Sequence, residues 1–384
     1  MSTAKVVLIA GALGVVGRAA LAHFESLGDC QVVGLSRRAP DFKTAARWIR
    51  VDLADAAATA AAMADLGDVT HVVYAALHEE EDLVAGWTED RQIRTNLAML
   101  RNLVGPLANG APGLTHVTLL QGTKAYGIHH GPFKIPAKET DPRFIAPNFY
   151  YDQEDWLRER AAGSSWSYTV LRPQLVCGLG IGNPMNVVTA LGVYASITRE
   201  LGQPLRFPGG EPCFQEAVDA DLLARAIAWA GTEPRCRGEI YNITNGDVFS
   251  WPNLWPRFAS FFGMEVGIAH PHALAAVMPG RKPVWEAMVR RYELRPYAYE
   301  DVVRSWAFLD FTLRHGEVRP RHSIMSTVKA RQHGFHDCLD TELMFERLFA
   351  RLQDQRILPP TPVGAPGPRK PIEARRDATR KEPP

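Results

Sequence analysis

The chain has 384 residues and a mass of 42.5 kDa, enough for one large α/β unit or two smaller domains. Hydrophobic residues make up 46% and charged residues 22%, the balance of a globular enzyme with a sizeable core. Lys and Arg number 43 against 42 Asp and Glu, a net charge of +1, which argues against a nucleic-acid-binding or membrane-surface protein.

Residues 5–11 form a continuous Val/Leu/Ile run, the pattern of a parallel strand buried on both faces. A helical stretch follows over 14–27 and stops at Gly28. Residues 31–35 and 48–51 read as the second and third strands, with an Ala-rich helix over 54–66 behind them. Residues 69–75 are a fourth buried strand. Residues 89–107 have helical spacing, with Ile93, Leu97, Leu100, Leu103 and Val104 on one face. Strands five and six fall at 114–120 and 168–171. This rhythm predicts a Rossmann-type, doubly wound parallel sheet of the α/β class.

From about Gly180 the rhythm gives way to longer helical, aromatic-rich segments such as 251–262 and 285–292. An NADP-binding domain is expected over 1–180 and a mostly helical substrate-binding region over 181–358. A helix at 217–230 and a strand at 239–244, within 215–245, are expected to return to the sheet. After Leu358 Pro, Gly and charged residues take over, so 359–384 reads as a disordered tail. No uninterrupted stretch of ~18 apolar residues occurs, and the N-terminal apolar run is too short for a signal segment. The five cysteines, Cys30, Cys177, Cys213, Cys236 and Cys338, are scattered without a C-x-x-C pair. Reduced thiols in a cytoplasmic protein are expected.

Gly11-Ala12-Leu13-Gly14-Val15-Val16-Gly17 lies where the first strand meets the first helix. Glycines at this spacing let backbone N–H groups approach a pyrophosphate at a helix N-terminus. Gly11, Leu13, Gly14, Val15, Val16 and Gly17 are therefore candidate dinucleotide contacts, the alternative being a purely structural turn. Strand two ends in Ser36-Arg37-Arg38, without the acid that takes the ribose 2′-hydroxyl in NAD enzymes. Two guanidinium forks suit a 2′-phosphate, so NADPH is the expected cofactor, unless both arginines are merely solvated. Asp52, with Leu53, follows strand three, where an acid often meets the adenine; a plain turn aspartate is the alternative. Ala75 and Ala76, after strand four, are small enough for a cofactor to lie close.

The Tyr-x-x-x-Lys pair of many reductases with this sheet is missing. In Asn148-Phe149-Tyr150-Tyr151-Asp152-Gln153-Glu154-Asp155, Glu154 lies four beyond Tyr150 and Asp155 four beyond Tyr151. A cation must come from elsewhere. Lys124, in Leu120-Gln121-Gly122-Thr123-Lys124-Ala125-Tyr126, stands at the sheet edge where ligands bind.

Gly122-Thr123-Lys124, Gly131-Pro132-Phe133, Asn148-Phe149-Tyr150-Tyr151 with Glu154-Asp155, and Arg172-Pro173 occur in order. Asn245-Gly246-Asp247-Val248-Phe249, Pro283-Val284-Trp285-Glu286 and Lys329-Ala330-Arg331-Gln332-His333-Gly334-Phe335 follow. From the glycine turn to about Phe335 the chain resembles the progesterone 5β-reductase/iridoid synthase family, an atypical branch of the extended short-chain dehydrogenases/reductases. The resemblance implies Tyr150 and Lys124 as the catalytic pair, with Phe133 and Tyr126 as pocket aromatics. It adds Leu120, Gln121, Pro173, Val176, Asn183, Pro184 and Met185 as cofactor contacts, beside Lys124 and Tyr150. The chain departs from the family at Ala125, usually His, at Gln121, usually Thr, and in its longer stretch Gly127-Ile128-His129-His130.

The implied activity is NADPH-dependent 1,4-reduction of an activated C=C bond in a small hydrophobic enone, steroid- or terpenoid-like. Carbonyl reduction, epimerase/dehydratase chemistry, and a non-catalytic NADP(H)-sensing regulator stay open as alternatives. His129-His130 and His270-Pro271-His272 lack the partners of a metal site and read as loop histidines. Trp251, Trp255, Trp285 and Trp306 read as core and pocket wall. The oligomeric state is open, a homodimer included.

Overall fold

The computed structural model describes residues 5–317 and 319–361. Its first strand, β1 (Lys5–Ala10), is buried beyond Lys5, as an unbroken apolar run requires. Helix α1 (Val15–Leu27) follows, and Gly28, at a left-handed φ of 71°, ends it. Strands β2 (Cys30–Ser36), β3 (Arg47–Arg50), β4 (His71–Tyr74), β5 (His116–Leu120) and β6 (Ser167–Pro173) come next. A seventh strand, β7 (Glu239–Ile243), pairs with β6. All pairings are parallel, in the order β3-β2-β1-β4-β5-β6-β7. The order reverses between β1 and β4, which opens a crevice beyond the carboxyl ends of those strands.

Each face of the sheet has its own core. On one, Leu8, Leu35, Val72 and Val117 meet Leu100 and Leu103 of the helix Asp90–Gly110. On the other, Val7, Ile9 and Leu171 meet Leu21 of α1 and Leu223 and Ile227 of the helix Ala220–Ala230. A third core, built from Trp251, Phe258, Trp285, Leu309, Phe345 and Phe349, lies within the C-terminal helices. Its first helix, Val187–Glu200, precedes the return of 220–243 to the sheet, so the two regions interleave along the chain.

The body runs past Leu358. Pro359 is buried, its carbonyl accepts from Gln353 Nε2 at 2.9 Å, and the Thr361 hydroxyl donates to the Phe261 carbonyl at 3.1 Å. The expected tail thus starts no earlier than 362, and from there it lies outside the described residues. Among the described residues no helix is long and apolar enough to cross a membrane.

Candidate active site

At the carboxyl edge of the sheet, the glycine turn brings three segments together. Gly11 has a φ of 80°, and a Cβ there would fall 2.6 Å from the Ala75 carbonyl oxygen, so only glycine lets β1 and β4 end this close. A Cβ on Gly17 would fall 2.2 Å from the Gly11 oxygen. No side chain caps α1 at Gly14, and Gly14, Val15 and Val16 line the cavity with Ala75 and Ala76. An uncapped helix start at a cavity has the chemistry to take an anion, and these residues fit a dinucleotide pyrophosphate. Gly11, Leu13 and Gly17 shape the turn from behind and are not cavity-lining.

Past β2, Arg37 and Arg38 are exposed and form no ion pair among the described residues. The Arg38 carbonyl accepts from Trp48 Nε1 at 3.0 Å, and Ser36 Oγ accepts from the Arg38 N–H at 3.2 Å. The Arg38 guanidinium reaches to Gly182, in the loop that carries Asn183, Pro184 and Met185. Asn183 and Met185 line the cavity; Pro184 does not. Asp52 is exposed and accepts from the Ala54 N–H at 3.0 Å, a local turn bond, while Leu53 is buried in the core below.

The chemical end is set by the helix Phe149–Ala161. Its cap, Asn148, accepts from the Tyr150 N–H at 3.0 Å and donates to the Lys124 carbonyl at 2.9 Å. One side chain therefore fixes both candidate residues. Adjacent residues on a helix face different ways, and the two tyrosines differ accordingly. The Tyr151 hydroxyl donates to the Ala125 carbonyl at 2.8 Å and accepts from the Phe144 N–H at 2.9 Å. The Tyr150 hydroxyl has no partner among the described residues, and its residue lines the cavity with Lys124. Burial, with Glu79 adding to it, raises the Tyr150 phenol well above its ordinary range, so it stays a protonated donor.

Lys124 Nζ pairs with Glu79 Oε1 at 3.5 Å and lies 4.5 Å from the Trp87 ring centroid. Burial lowers the ammonium pKa, and Glu79 opposes that shift. Ion pair and ring face together offset part of the desolvation of a buried cation. Nζ is 5.8 Å from the Tyr150 ring centroid. Beneath the pair, Gln121 donates to the Tyr150 carbonyl at 2.9 Å and accepts from Arg172 Nε at 2.9 Å. Glu154 is buried against Arg172 at 3.0 Å, with Arg143 and Arg158 on its other oxygen at 2.8 Å. The acid found where a Tyr-x-x-x-Lys lysine would stand is thus spent on docking the helix to β6.

A family model described as a PRISE-like Rossmann-fold domain matches residues 51–359. The chain belongs to this family. It is an oxidoreductase by that membership and by its relatives. The (S)-8-oxocitronellyl enol synthase of Catharanthus roseus is 31% identical over 376 residues, 92% of each chain. The 3-oxo-Delta(4,5)-steroid 5-beta-reductase of Arabidopsis thaliana is 34% identical over 354 residues, 86% of this chain and 87% of the relative. Among solved structures, the UDP-glucose 4-epimerase of Thermus thermophilus, in complex with NAD, shares the fold. Its TM-score is 0.63 over 91% of this chain and 99% of that chain, at 18% identity.

In this PRISE-like chain, Leu120, Gln121, Pro173 and Val176 line the cavity with Lys124 and Tyr150. Tyr126 and Phe133 do not. The short helical turn Thr123–Tyr126 sends Lys124 and Tyr126 different ways. The Tyr126 hydroxyl donates to Asn242 Oδ1 at 2.6 Å, its ring lies 5.1 Å from the Arg172 guanidinium, and Phe133 stacks on it at 6.1 Å. The cavity wall comes instead from Trp87, Phe149, Phe308 and Phe311, with Gln174, Gln215, Arg314 and Ser323. Trp251, Trp255, Trp285 and Trp306 are core residues and none lines it. Glu79 sits in an acidic run, His78-Glu79-Glu80-Glu81-Asp82, directly after β4 at the ligand edge, a signal the sequence does carry. His129 is half-buried beside Trp87, and desolvation lowers its pKa to about 3, leaving a neutral ring.

Proposed function

We propose that this PRISE-family oxidoreductase is an NADPH-dependent ene-reductase that reduces the activated C=C bond of an enone or enal. The observation that carries the reading is Tyr150: a buried residue whose protonated hydroxyl has no partner among the described residues, beside the Lys124 ammonium in the same cavity. Arg37 and Arg38, unpaired among the described residues where an NAD enzyme carries an acid, favour NADPH over NADH.

When bound, the cofactor supplies a hydride. Conjugate reduction at the β-carbon leaves negative charge on the substrate carbonyl oxygen, and Tyr150 donates a hydrogen bond to it. Lys124 adds positive potential in a site of low dielectric, where such stabilisation is strongest. Glu79 holds the ammonium and Asn148 holds the backbone of both residues, so the donors are oriented before substrate arrives. Trp87, Phe149 and Phe311 keep water from the developing charge. Carbonyl reduction is disfavoured because no lysine shares the Tyr150 helix face and Glu154 there is bound to Arg172.

The test is NADPH consumption with a panel of enones and enals, with product analysis. A saturated carbonyl product with the carbonyl intact supports the reading. An allylic alcohol means carbonyl reduction, and cofactor binding without turnover of any panel member points to a sensing role.

A further inference from the structure

Two cations line the cavity, separated by two aromatic rings. Lys124 Nζ lies 4.5 Å from the Trp87 ring centroid, Trp87 meets Phe311 edge-on at 5.3 Å between centroids, and the Arg314 guanidinium lies 5.4 Å from the Phe311 ring. Lys124 has Glu79 as counter-ion. Arg314 has none: although only 2% exposed, it has no carboxylate within ion-pair distance among the described residues. The nearby acid, Glu317, is paired with Arg321. Among the described residues Arg314 Nε has no hydrogen-bond partner, and the guanidinium donates from Nη1 to the Phe311 carbonyl at a long 3.4 Å, with the Cys213 thiol as its other polar neighbour.

An arginine does not escape burial by losing its proton at physiological pH, since its pKa is too high. Burial and the neighbouring Arg321 depress the Arg314 pKa, but the group keeps its charge. A buried, unpaired guanidinium is costly, and an apolar group laid against it would desolvate it further without compensation. A carboxylate would meet it with two parallel, charge-assisted hydrogen bonds. The same cavity holds further polar groups. Gln174 binds Ser323 through its amide nitrogen and leaves Oε1 buried without a partner.

We propose that Arg314 is a substrate-recognition residue, binding a carboxylate at the far end of an enone or enal whose carbonyl oxygen sits at Tyr150 and Lys124. The proposal rests on the reductase reading of this cavity and narrows its substrate class from hydrophobic enones to carboxylated ones. The Trp87–Phe311 wall then covers the carbon chain between the two polar ends.

The decisive comparison is between a medium-chain 2-enal ending in a carboxylate and its methyl ester. Wild-type protein should favour the acid in kcat/KM by roughly 10- to 100-fold, the range for one hydrogen-bonded charge. Arg314→Met should bring the acid down to the level of the ester, and Arg314→Lys should keep part of the preference. No preference in the wild type, or a preference that survives Arg314→Met in folded protein, overturns the proposal. So does an Arg314→Met variant that raises the KM for NADPH and leaves the acid-to-ester ratio intact. If neither enal is turned over, the reductase reading fails by itself, and binding to the NADP-loaded wild type decides the role of Arg314. Hexanoate binding more tightly than hexan-1-ol by the same factor sustains it; equal binding ends it.

Discussion

The cavity is built by different means at its two ends. At the end proposed for the dinucleotide, main chain does the shaping: Gly11 and Gly17 let β1, β4 and the start of α1 approach until a single Cβ would collide with a carbonyl. At the substrate end, side chains do it, and Trp87, Phe149, Phe311, Arg314 and Ser323 come from segments far apart in the chain. A site made of backbone tolerates almost no added atom, and its contacts carry little information about which molecule binds. A site made of side chains can change one residue at a time, and that is where substrate choice resides. Family membership therefore bears more directly on the first end than on the second.

Gly17→Val puts the greatest strain on that contrast. Its Cβ has no room against the Gly11 oxygen, 2.2 Å away, so the start of α1 must move. NADPH binding, followed by fluorescence titration, should vanish at concentrations that saturate the wild type. Normal binding would mean that the turn is not the pyrophosphate site.

Glu154→Gln examines the seam between the two ends. It leaves the Arg172 guanidinium, 4% exposed, without its buried counter-ion. Denaturant unfolding should show a loss of about 3–5 kcal/mol. A loss below about 1 kcal/mol would show that Gln121 and the Tyr126 ring suffice for Arg172.

Replacing Arg37 and Arg38 together with Ala affects only the side-chain-built rim of the dinucleotide end. The KM for NADPH should rise roughly 10- to 100-fold while that for NADH changes little, because a 2′-phosphate loses its charge-assisted bonds. Equal effects on both cofactors would show that the arginines do not meet the 2′-phosphate.

Much of this architecture was legible in the sequence because it follows from periodicity. An unbroken apolar run marked β1, Gly28 marked the end of α1, and the alternation of strand-like and helix-like segments placed β4, β5 and the returning strand near 239. The glycine turn was legible as a turn because its glycines have a local cause. Trp87, Phe308, Phe311 and Arg314 were not, because nothing local distinguishes a pocket aromatic from a core one. Tyr126 and Phe133 show the converse: they lie near Lys124 in sequence, yet Asn242 and Arg172 hold the tyrosine on the other side of the turn. Pro359 shows how composition misleads, since a proline-rich start can still pack on the body.

The central claim is that Tyr150 donates to the developing enolate and Tyr151 holds the fold. The measurement is turnover of a weakly activated enone by Tyr150→Phe and Tyr151→Phe, with thermal melting of each. Tyr150→Phe should lower kcat roughly 10²–10³-fold, the scale for losing one oxyanion donor, with melting unchanged because its hydroxyl has no protein partner. Tyr151→Phe should keep near-normal kcat but melt lower, since it strands the Ala125 carbonyl and the Phe144 N–H. An inactive Tyr151→Phe beside an active Tyr150→Phe would contradict the account.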